Sequence, residues 1–158
     1  MEEETAAWIL ASMKNPNLLN ELRKRETPQD LPPVQKLDGI IGQCSQLYEK
    51  VLTPSDTNSD LARLLFNTQF AVTSLLPLLN EDENPIDGIG VTVYDLNGKE
   101  FQMMFKFWAS KYYVLTQGWM AFCRDHDISN KDIVKLQMFR HLKTRRLCFV
   151  ISTVKTTN

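Results

Sequence analysis

The spacing of apolar residues changes abruptly within one short stretch, residues 112–122. Before the change, apolar residues alternate with their neighbours, and this two-residue period is typical of a strand. From Trp119 onward, Phe122, Cys123 and His126 follow at helical intervals, which place all four side chains on one face of a short helix. A strand that gives way to a helix so quickly predicts a compact, mainly β module with a helix inserted among its strands.

The same alternation marks the segments on both sides of this stretch. In residues 100–108, four apolar side chains alternate with four neighbours of mixed character, and Asn97-Gly98 is a strong signal for the hairpin turn before them. Alternation therefore predicts seven strands, at residues 47–53, 61–66, 90–94, 100–108, 112–115, 133–140 and 145–152.

Two helices are predicted among these strands. Asn67 or Thr68 can cap the first, and Pro77 limits it, because proline cannot donate the helical hydrogen bond. The second helix begins near Trp119 and ends near His126. The apolar stripe of the first helix is formed by Val72, Leu75, Leu76 and Leu79.

The N-terminal part of the chain has a different composition. Acidic residues open a predicted helix at residues 1–14, a shorter helix follows at 18–25, and three prolines in 27–33 indicate a linker. We therefore predict a helical N-terminal extension with its linker at 1–45, a mainly β domain at 46–154 and a polar tail at 155–158.

Length and charge limit the possible functions. A chain of 158 residues is about one domain with an extension, and its 43% of hydrophobic residues can fill a core. The formal net charge is −1, divided into −2 over residues 1–45 and +1 over 46–158. These values exclude a strongly basic polyanion binder, so any basic face must arise from local clustering.

The cysteines and the hydropathy point to a compartment. Cys44, Cys123 and Cys148 are widely spaced and lack metal-ligand spacing, which favours reduced thiols in a reducing intracellular environment. The chain has no apolar run near 18 residues and begins with an acidic segment, which argues against a membrane span and a signal peptide.

Catalytic patterns are missing from the sequence. It contains no nucleophile–base pair, phosphate-binding loop or paired-carboxylate motif. His126 and His141 are isolated, which argues against a metal site or a catalytic dyad. We therefore predict no enzyme activity, no cofactor, no metal and no small-molecule substrate.

With its elements in this order, the sequence resembles a plant B3 DNA-binding domain. The segment 48–56 resembles the family's opening strand and Ser-Asp turn, and 62–64 resembles its second strand. The segment 114–122, Val-Leu-Thr-Gln-Gly-Trp-Met-Ala-Phe, resembles its strand, Gly-Trp turn and helix. Further similarity lies in Asp132-Ile133-Val134 and in Phe139-Arg140 with Leu147-Cys148-Phe149, the latter pairing being similar to a divergent B3 subfamily.

The resemblance implies a fold and a function. It implies a seven-stranded open pseudo-barrel with two short helices, which binds the major groove of double-stranded DNA and regulates transcription in the nucleus. Two arms would enter the groove, the first arm at residues 53–63 and the second arm at 106–112. Carried over by position, the candidate DNA-binding residues are Lys50, Ser55, Asn58, Arg63, Lys106, Trp108, Ser110 and Lys111.

The sequence departs from the family pattern at two positions. Asp56 matches the family, whereas Asp60 is an added charge in the first arm that repels phosphate. Lys131 stands where the family usually has glycine, which indicates a strained turn if the backbone there has positive φ.

An alternative function follows from the near-neutral charge and the acidic first arm. A degenerate B3-like barrel with weak or no DNA binding would serve as a protein-interaction module. A protein partner would then dock on the N-terminal extension, whose apolar residues could equally pack on the barrel; they include Trp8, Ile9, Leu18 and Leu19.

Several of these residues also have a purely structural interpretation. Trp119, Phe122 and Phe149 are predicted to be core residues, while Trp108 fits the core and a DNA-facing position equally well.

The candidate cations also have a functional and a structural interpretation. Lys106 and Lys111 fit a phosphate contact or a solvated surface, and Arg63 fits a phosphate contact or an ion pair with Asp60. For the basic cluster of Lys143, Arg145 and Arg146, a solvated hairpin is the favoured interpretation.

Overall fold

The computed structural model describes residues 34–156. The helices predicted at 1–14 and 18–25, the proline-containing linker at 27–33 and the last two residues of the tail lie outside this range. The strands are β1 (Ile41–Cys44), β2 (Tyr48–Val51), β3 (Arg63–Leu65), β4 (Ile89–Tyr94), β5 (Glu100–Trp108), β6 (Tyr112–Thr116), β7 (Ile133–His141) and β8 (Leu147–Val154).

These strands form one open, eight-stranded sheet. Its order is β1-β7-β8-β4-β5-β6-β3, with β2 also paired to β7. All pairs are antiparallel except β4 with β8. The mainly β class with two short helices agrees with the expectation, and the sheet does not close.

The predicted count of seven strands is wrong, because β1 adds an eighth. Ile41 pairs with His141, and Cys44 pairs with Phe139 on the long strand β7. This four-residue strand lies within the segment predicted as extension and linker. Its side chains show no clear alternation between exposed and buried positions, so tertiary pairing with β7 makes it a strand, and periodicity could not reveal it.

The main core lies on one face of the sheet. The buried side chains of Leu64, Leu115 and Phe105 occupy one cross-strand row of β3, β6 and β5. Trp119 and Phe122 pack against them from the helix, as Phe149 does from β8. All three aromatic residues predicted as core are fully buried, which confirms that interpretation.

A second, smaller core lies on the opposite face of β4, β7 and β8. Val34 and Leu37 of the segment before β1 cover Tyr94, Phe139 and Val150 there. The segment that begins at Val34 therefore covers this face at β4, β7 and β8. The cluster does not extend over the same face of β3, β6 and β5.

The first helix follows β3 and changes its winding as it proceeds. The Oδ1 atom of Asn67 accepts from the Phe70 amide, which confirms the predicted cap. One turn of α-helix (α1, Thr68–Phe70) is followed by a π-helical segment, Ala71–Leu75, and a 3-10 turn, Leu76–Leu78.

This change of winding makes one prediction wrong. Val72 was expected on the apolar stripe but is 47% exposed, while Ala71 is fully buried in its place. The wider π turn rotates the buried face away from the positions that a 3.6-residue period predicts.

The second helix, α2 (Trp119–Asp125), begins directly after Gly118. The φ angle of Gly118 is 176°, an extended conformation that any residue can adopt. Glycine is needed there for space, because an added Cβ would lie 2.3 Å from the carbonyl oxygen of Gln102 and 2.9 Å from Met103 Cγ. The abrupt change from strand to helix therefore depends on close contact between this turn and β5.

Lys131 lies in the turn before β7 with a φ angle of 73°. This is the left-handed conformation, which favours glycine, as the departure from the family pattern indicated. Within residues 34–156, no helix combines the length and the apolar content needed to cross a bilayer.

Candidate nucleic-acid interface

The first arm is held in place by one buried carboxylate. Asp56 has no exposed surface, and its carboxylate accepts hydrogen bonds from the Thr53 amide and hydroxyl at 2.9 Å each and from the Leu65 amide at 3.2 Å. These bonds join the beginning of the arm to the strand that follows it, so the arm is a fixed loop.

Two candidate cations also contact this carboxylate. Lys50 Nζ lies 3.0 Å from an oxygen of Asp56, and Arg63 Nη1 lies 3.5 Å from the other oxygen. Their side chains are only 16% and 11% exposed. Arg63 therefore pairs with Asp56, in contrast to the expected pair with Asp60. Two cations around one anion leave the base of the arm with one net positive charge.

The polar candidates of the first arm shape its backbone. Ser55 receives hydrogen bonds from Arg63 at its carbonyl oxygen, 3.2 Å, and at its hydroxyl, 3.4 Å. The exposed side chain of Asn58 accepts from the amides of Asp60 and Leu61 at 2.7 and 3.3 Å. Asn58 therefore fixes the tip of the arm while its side chain stays accessible to solvent.

The second arm ends in a tight turn between β5 and β6. The Lys111 amide donates to the Trp108 carbonyl oxygen at 2.9 Å, and both central residues, Ala109 and Ser110, have positive φ, 52° and 54°. This is the geometry of a type I′ turn, which favours Asn-Gly. An Ala-Ser pair at these positions is strained, and such strain is commonly found at functional sites.

Two cations and an aromatic residue of the second arm reach solvent. Ser110 and Lys111 are exposed, and Lys111 Nζ lies 5.2 Å from the ring centroid of Tyr112. Trp108 is half-buried and lies opposite Tyr112 in the β5–β6 pair. Lys106 is also half-buried, two residues earlier on the same face of β5.

The register of β3, β6 and β5 brings three of the eight candidates, Arg63, Lys106 and Trp108, onto one face, which we call the outer face. The other five lie on β2 or in the loops of the two arms. In the first row Trp108 lies beside Tyr112, and in the next Lys106 and Val114 lie beside Leu65. Residues of one row point to the same side of a sheet. The third row contains Met104, Thr116 and Arg63.

The two arms lie at opposite ends of β6. Arg63, which follows the first arm, pairs with Thr116 at the end of β6, whereas the second arm leads into Tyr112 at its beginning. Five extended residues span about 13–17 Å. The outer face between the arms is therefore comparable in width to the major groove of B-DNA, about 12 Å.

Three residues that sequence reasoning did not select share this face. Gln102 lies two residues before Met104 on β5, and Thr92 of β4 pairs with it. Arg146 donates to both of their side chains. The alternation of β5 could have identified Gln102, but the contacts of Arg146 depend on tertiary structure. Arg146 is exposed, in agreement with the favoured solvated hairpin, and its side chain is also bound to the sheet.

Exposed acidic residues occur in the first arm and in the loop before β4. Asp60 in the first arm is exposed, as are Glu81, Asp82 and Asp87 in the loop before β4. Glu83 of that loop is bound to Arg140 by two hydrogen bonds of 2.7 and 2.8 Å, and this pairing lowers the pKa of Glu83.

One His/Asp cluster occurs in the described part of the chain. Ligand atoms of Asp95, Asp125 and His126 lie within 4.8 Å of one another. His126 Nε2 lies 2.9 Å from Asp95 Oδ2, and Lys99 Nζ lies 2.8 Å from Asp125. These contacts join the end of α2 to the β4–β5 hairpin, so the cluster has a structural role.

Two of the three cysteines are poor nucleophiles. Cys123 and Cys148 are buried, and burial raises the pKa of their thiols to about 12 and about 11. Both thiols therefore stay protonated at neutral pH.

Comparisons with known proteins point to one family. The family model of the B3 DNA binding domain matches residues 48–154. The putative B3 domain-containing protein At4g03170 of Arabidopsis thaliana is 43% identical over 113 residues, which are 70% of this chain and 45% of that protein. The B3 domain-containing transcription factor NGA1 of the same plant is 29% identical over 119 residues, 73% of this chain and 37% of that protein.

A solved structure shares the fold. The LEC2–DNA complex of Arabidopsis thaliana matches with a TM-score of 0.50 and 22% identity, over 72% of this chain and 98% of that one. The chain spans less than half the length of the two curated relatives named above.

Proposed function

Because the chain belongs to the B3 DNA-binding domain family, we propose that it binds double-stranded DNA in the major groove through the outer face and its two arms. The observation that carries this proposal is the register that brings Arg63 of the first arm and Lys106 and Trp108 of the second arm onto one face of the sheet. The distance between the arms, about the width of the groove, supports the same orientation.

The second arm supplies the accessible contacts. Lys106 and Lys111 bind phosphates, and Ser110, at the tip of the turn, contacts a base edge. Trp108 lies on the outer face beside Tyr112, where its exposed edge can pack against sugar or base. The rigid turn keeps these groups in position before DNA arrives, which lowers the entropic cost of binding.

The first arm contributes to DNA binding mainly by holding its loop and its charged groups in a fixed position. Lys50 and Arg63 neutralise Asp56, hold the loop, and add one net positive charge that attracts phosphate. Ser55 and Asn58 then contact bases, Asn58 through its exposed amide. We propose that Arg63 reaches phosphate only with the hydrogen-bond donors that Asp56 and Ser55 do not occupy.

The biological role follows from the relatives. NGA1 is a transcription factor by its name, and LEC2 is a transcription factor solved with DNA. We propose that this chain likewise regulates transcription, in the nucleus, by binding a preferred DNA sequence.

A salt titration tests DNA binding. Binding of the full chain to a random-sequence duplex pool, followed by fluorescence anisotropy, should weaken with salt with a log–log slope of about −3 to −6. Lys111→Glu should reduce the magnitude of this slope by about one. Arg124→Glu makes the same charge change at an exposed position of α2 and should leave the slope nearly unchanged. Absence of binding at low salt would refute the proposal.

One observation favours a second candidate function, a protein-interaction module with weak or no DNA binding. Two of the four candidate cations, Lys50 and Arg63, are engaged by Asp56, and exposed Asp60 adds repulsion in the same arm. A protein partner would then bind through the N-terminal extension. Cross-linking of the full chain and of residues 34–158 in plant nuclear extract distinguishes this function, because only the full chain should capture a partner when DNA is removed.

A further inference from the structure

Arg146 is a surface arginine whose guanidinium is fixed. Its Nε donates to the Thr92 hydroxyl at 2.8 Å, and its Nη2 donates to Gln102 Oε1 at 2.8 Å. Thr92 in turn donates to the same Gln102 oxygen at 3.3 Å. Thr92 is buried, so it anchors the network to the sheet. Most exposed arginines are mobile, and this network removes much of that freedom before any ligand binds.

The position of Arg146 continues the third row of the outer face. That row runs from Arg63 through Thr116 and Met104 to Gly90 of β4. Nη2 of Arg146 lies 3.5 Å from the place where a Cβ on Gly90 would be. Three strand spacings separate β3 from β4, about 14 Å, so an arginine lies at each end of this row.

The surroundings of Arg146 favour an anion. It lines a cleft of about 450 Å³ together with Lys36, Glu100, Gln102 and His141, among others. Lys36 Nζ lies 2.7 Å from the carboxylate of Glu100 and neutralises it. The charged side chains of the cleft therefore sum to one positive charge, that of the guanidinium.

We infer that Arg146 is a third phosphate-binding element, which contacts the DNA backbone on the side of the outer face away from the two arms. This inference rests on the proposed DNA binding and extends its footprint to β4 and β8. The two hydrogen bonds engage two of the five N–H donors of Arg146, and among the described residues no further bond from its side chain occurs. The other donors can therefore bind a phosphate oxygen.

The open form of the cleft favours a phosphate of a polymer over a free anion. Arg146 is exposed, and one cation with a neutralised Lys36–Glu100 pair holds a small anion weakly against water. A duplex that is already bound along the outer face holds its phosphates next to Arg146. The additional contact therefore loses no further translational entropy.

The salt dependence of DNA binding provides the test. Arg146→Gln should lower affinity for random and preferred sequences alike, by about 3–10-fold, and reduce the magnitude of the salt slope by about 0.9. Arg145→Gln is the matched control, since it removes the same charge from the neighbouring exposed residue. It should change the slope much less. Equal effects of the two variants would mean that the DNA responds to the general positive potential of this region, without a specific contact to Arg146. This result would overturn the inference.

A second variant separates the effect of the fixed orientation of the Arg146 guanidinium from the effect of its charge. Thr92→Val keeps the shape of the buried side chain and the charge of Arg146, but it removes the hydroxyl that accepts from Nε. Affinity should fall by about 2–5-fold with the slope unchanged, because the contact is kept and only its pre-organisation is lost. Full affinity in this variant would contradict the role of the network.

The outcomes distinguish this inference from the proposed function. An unchanged slope in Arg146→Gln, with a reduced slope in Lys111→Glu, refutes the third contact and keeps DNA binding. Failure of the wild-type chain to bind any duplex refutes both. The NMR signal of Arg146 Nε–H should shift with duplex and stay unchanged in millimolar inorganic phosphate; a shift with phosphate alone would overturn the inference.

Discussion

The indole N–H of Trp119 donates a 2.7 Å hydrogen bond to the backbone carbonyl oxygen of Asp56, and both residues are fully buried. The carboxylate of Asp56 meanwhile binds Lys50 and Arg63. The helix that fills the core is therefore connected, through a single residue, to the base of the first arm. Changes at either residue should affect both the core and the arm.

Replacing Trp119 with Phe should reveal this connection. The variant leaves the buried Asp56 carbonyl oxygen unpaired and a small cavity, which together cost about 2–4 kcal/mol of unfolding free energy. Urea denaturation measures the loss. Amides of the first arm should also exchange faster with deuterium, and unchanged exchange there would show that the hydrogen bond does not hold the arm.

Asp56→Asn should be strongly destabilising, by about 3–5 kcal/mol, because Lys50 and Arg63 would keep their charges at a largely buried site without the anion. Thermal and urea unfolding measure this loss. Asp60→Asn removes an exposed charge from the same arm and serves as the control. It should alter stability by less than about 0.5 kcal/mol and strengthen DNA binding. Equal stability of the two variants would contradict the role of Asp56.

Gly118→Ala tests whether the turn before α2 needs space. The added methyl group would lie 2.3 Å from the backbone oxygen of Gln102, which cannot move alone, so we expect a loss of about 3 kcal/mol or more. Gly90→Ala is the control, since its nearest neighbour is the side chain of Arg146 at 3.5 Å. A melting temperature that falls equally in both variants would refute the spatial explanation.

Lys131→Gly should stabilise the protein by up to about 1 kcal/mol. Its φ of 73° is costly for a residue with a Cβ, and glycine removes that cost. Lys143→Gly, at an exposed turn residue outside the set with positive φ, should instead lower stability slightly through backbone entropy. Chemical denaturation of both variants gives the comparison; stabilisation by both would point to the loss of charge.

The Glu83–Arg140 pair should contribute to stability in a pH-dependent way. Pairing lowers the pKa of Glu83 below its usual value of 4.5, so the stabilisation is complete above that pH. It disappears as the pH falls through the folded-state pKa, because the protonated carboxyl no longer pairs. Glu83→Gln should therefore lose about 1–3 kcal/mol at pH 7 and progressively less as the pH is lowered below 4.5. A constant difference between wild type and variant across this range would contradict the assignment.

The strong periodic segments were predictable from sequence. The bounds predicted for the strand at 100–108 agree with β5, Glu100–Trp108, and those of the helix after Gly118 differ by one residue. Long alternation and a sharp change in period reflect burial on one face of a strand or helix. This pattern is present in the sequence itself and does not depend on distant contacts. The π-helical segment was not predictable from the sequence, because the packing of Ala71 and Leu75 on the core sets its winding.

The candidate site was predictable only in part. The resemblance selected eight residues, and the register of β3, β6 and β5 unites Arg63, Lys106 and Trp108 on one face. The pairing of Arg63 with Asp56 depends on the geometry of the loop, and no rule of sequence spacing predicts it. The contacts of Arg146 with Thr92 and Gln102 join residues 44 to 54 positions apart.

The sequence by itself determined the strand and helix periods, the core aromatics and the family, because these depend on local order along the chain. Tertiary structure decided the eighth strand, the partner of Arg63 and the position of Arg146. Each of these depends on a backbone or side-chain partner that is distant in sequence, and its free energy appears only when folding brings the two together. The Gly118–Trp119 turn belongs to both: its residues are visible in the sequence, and the reason for its glycine is the oxygen of Gln102.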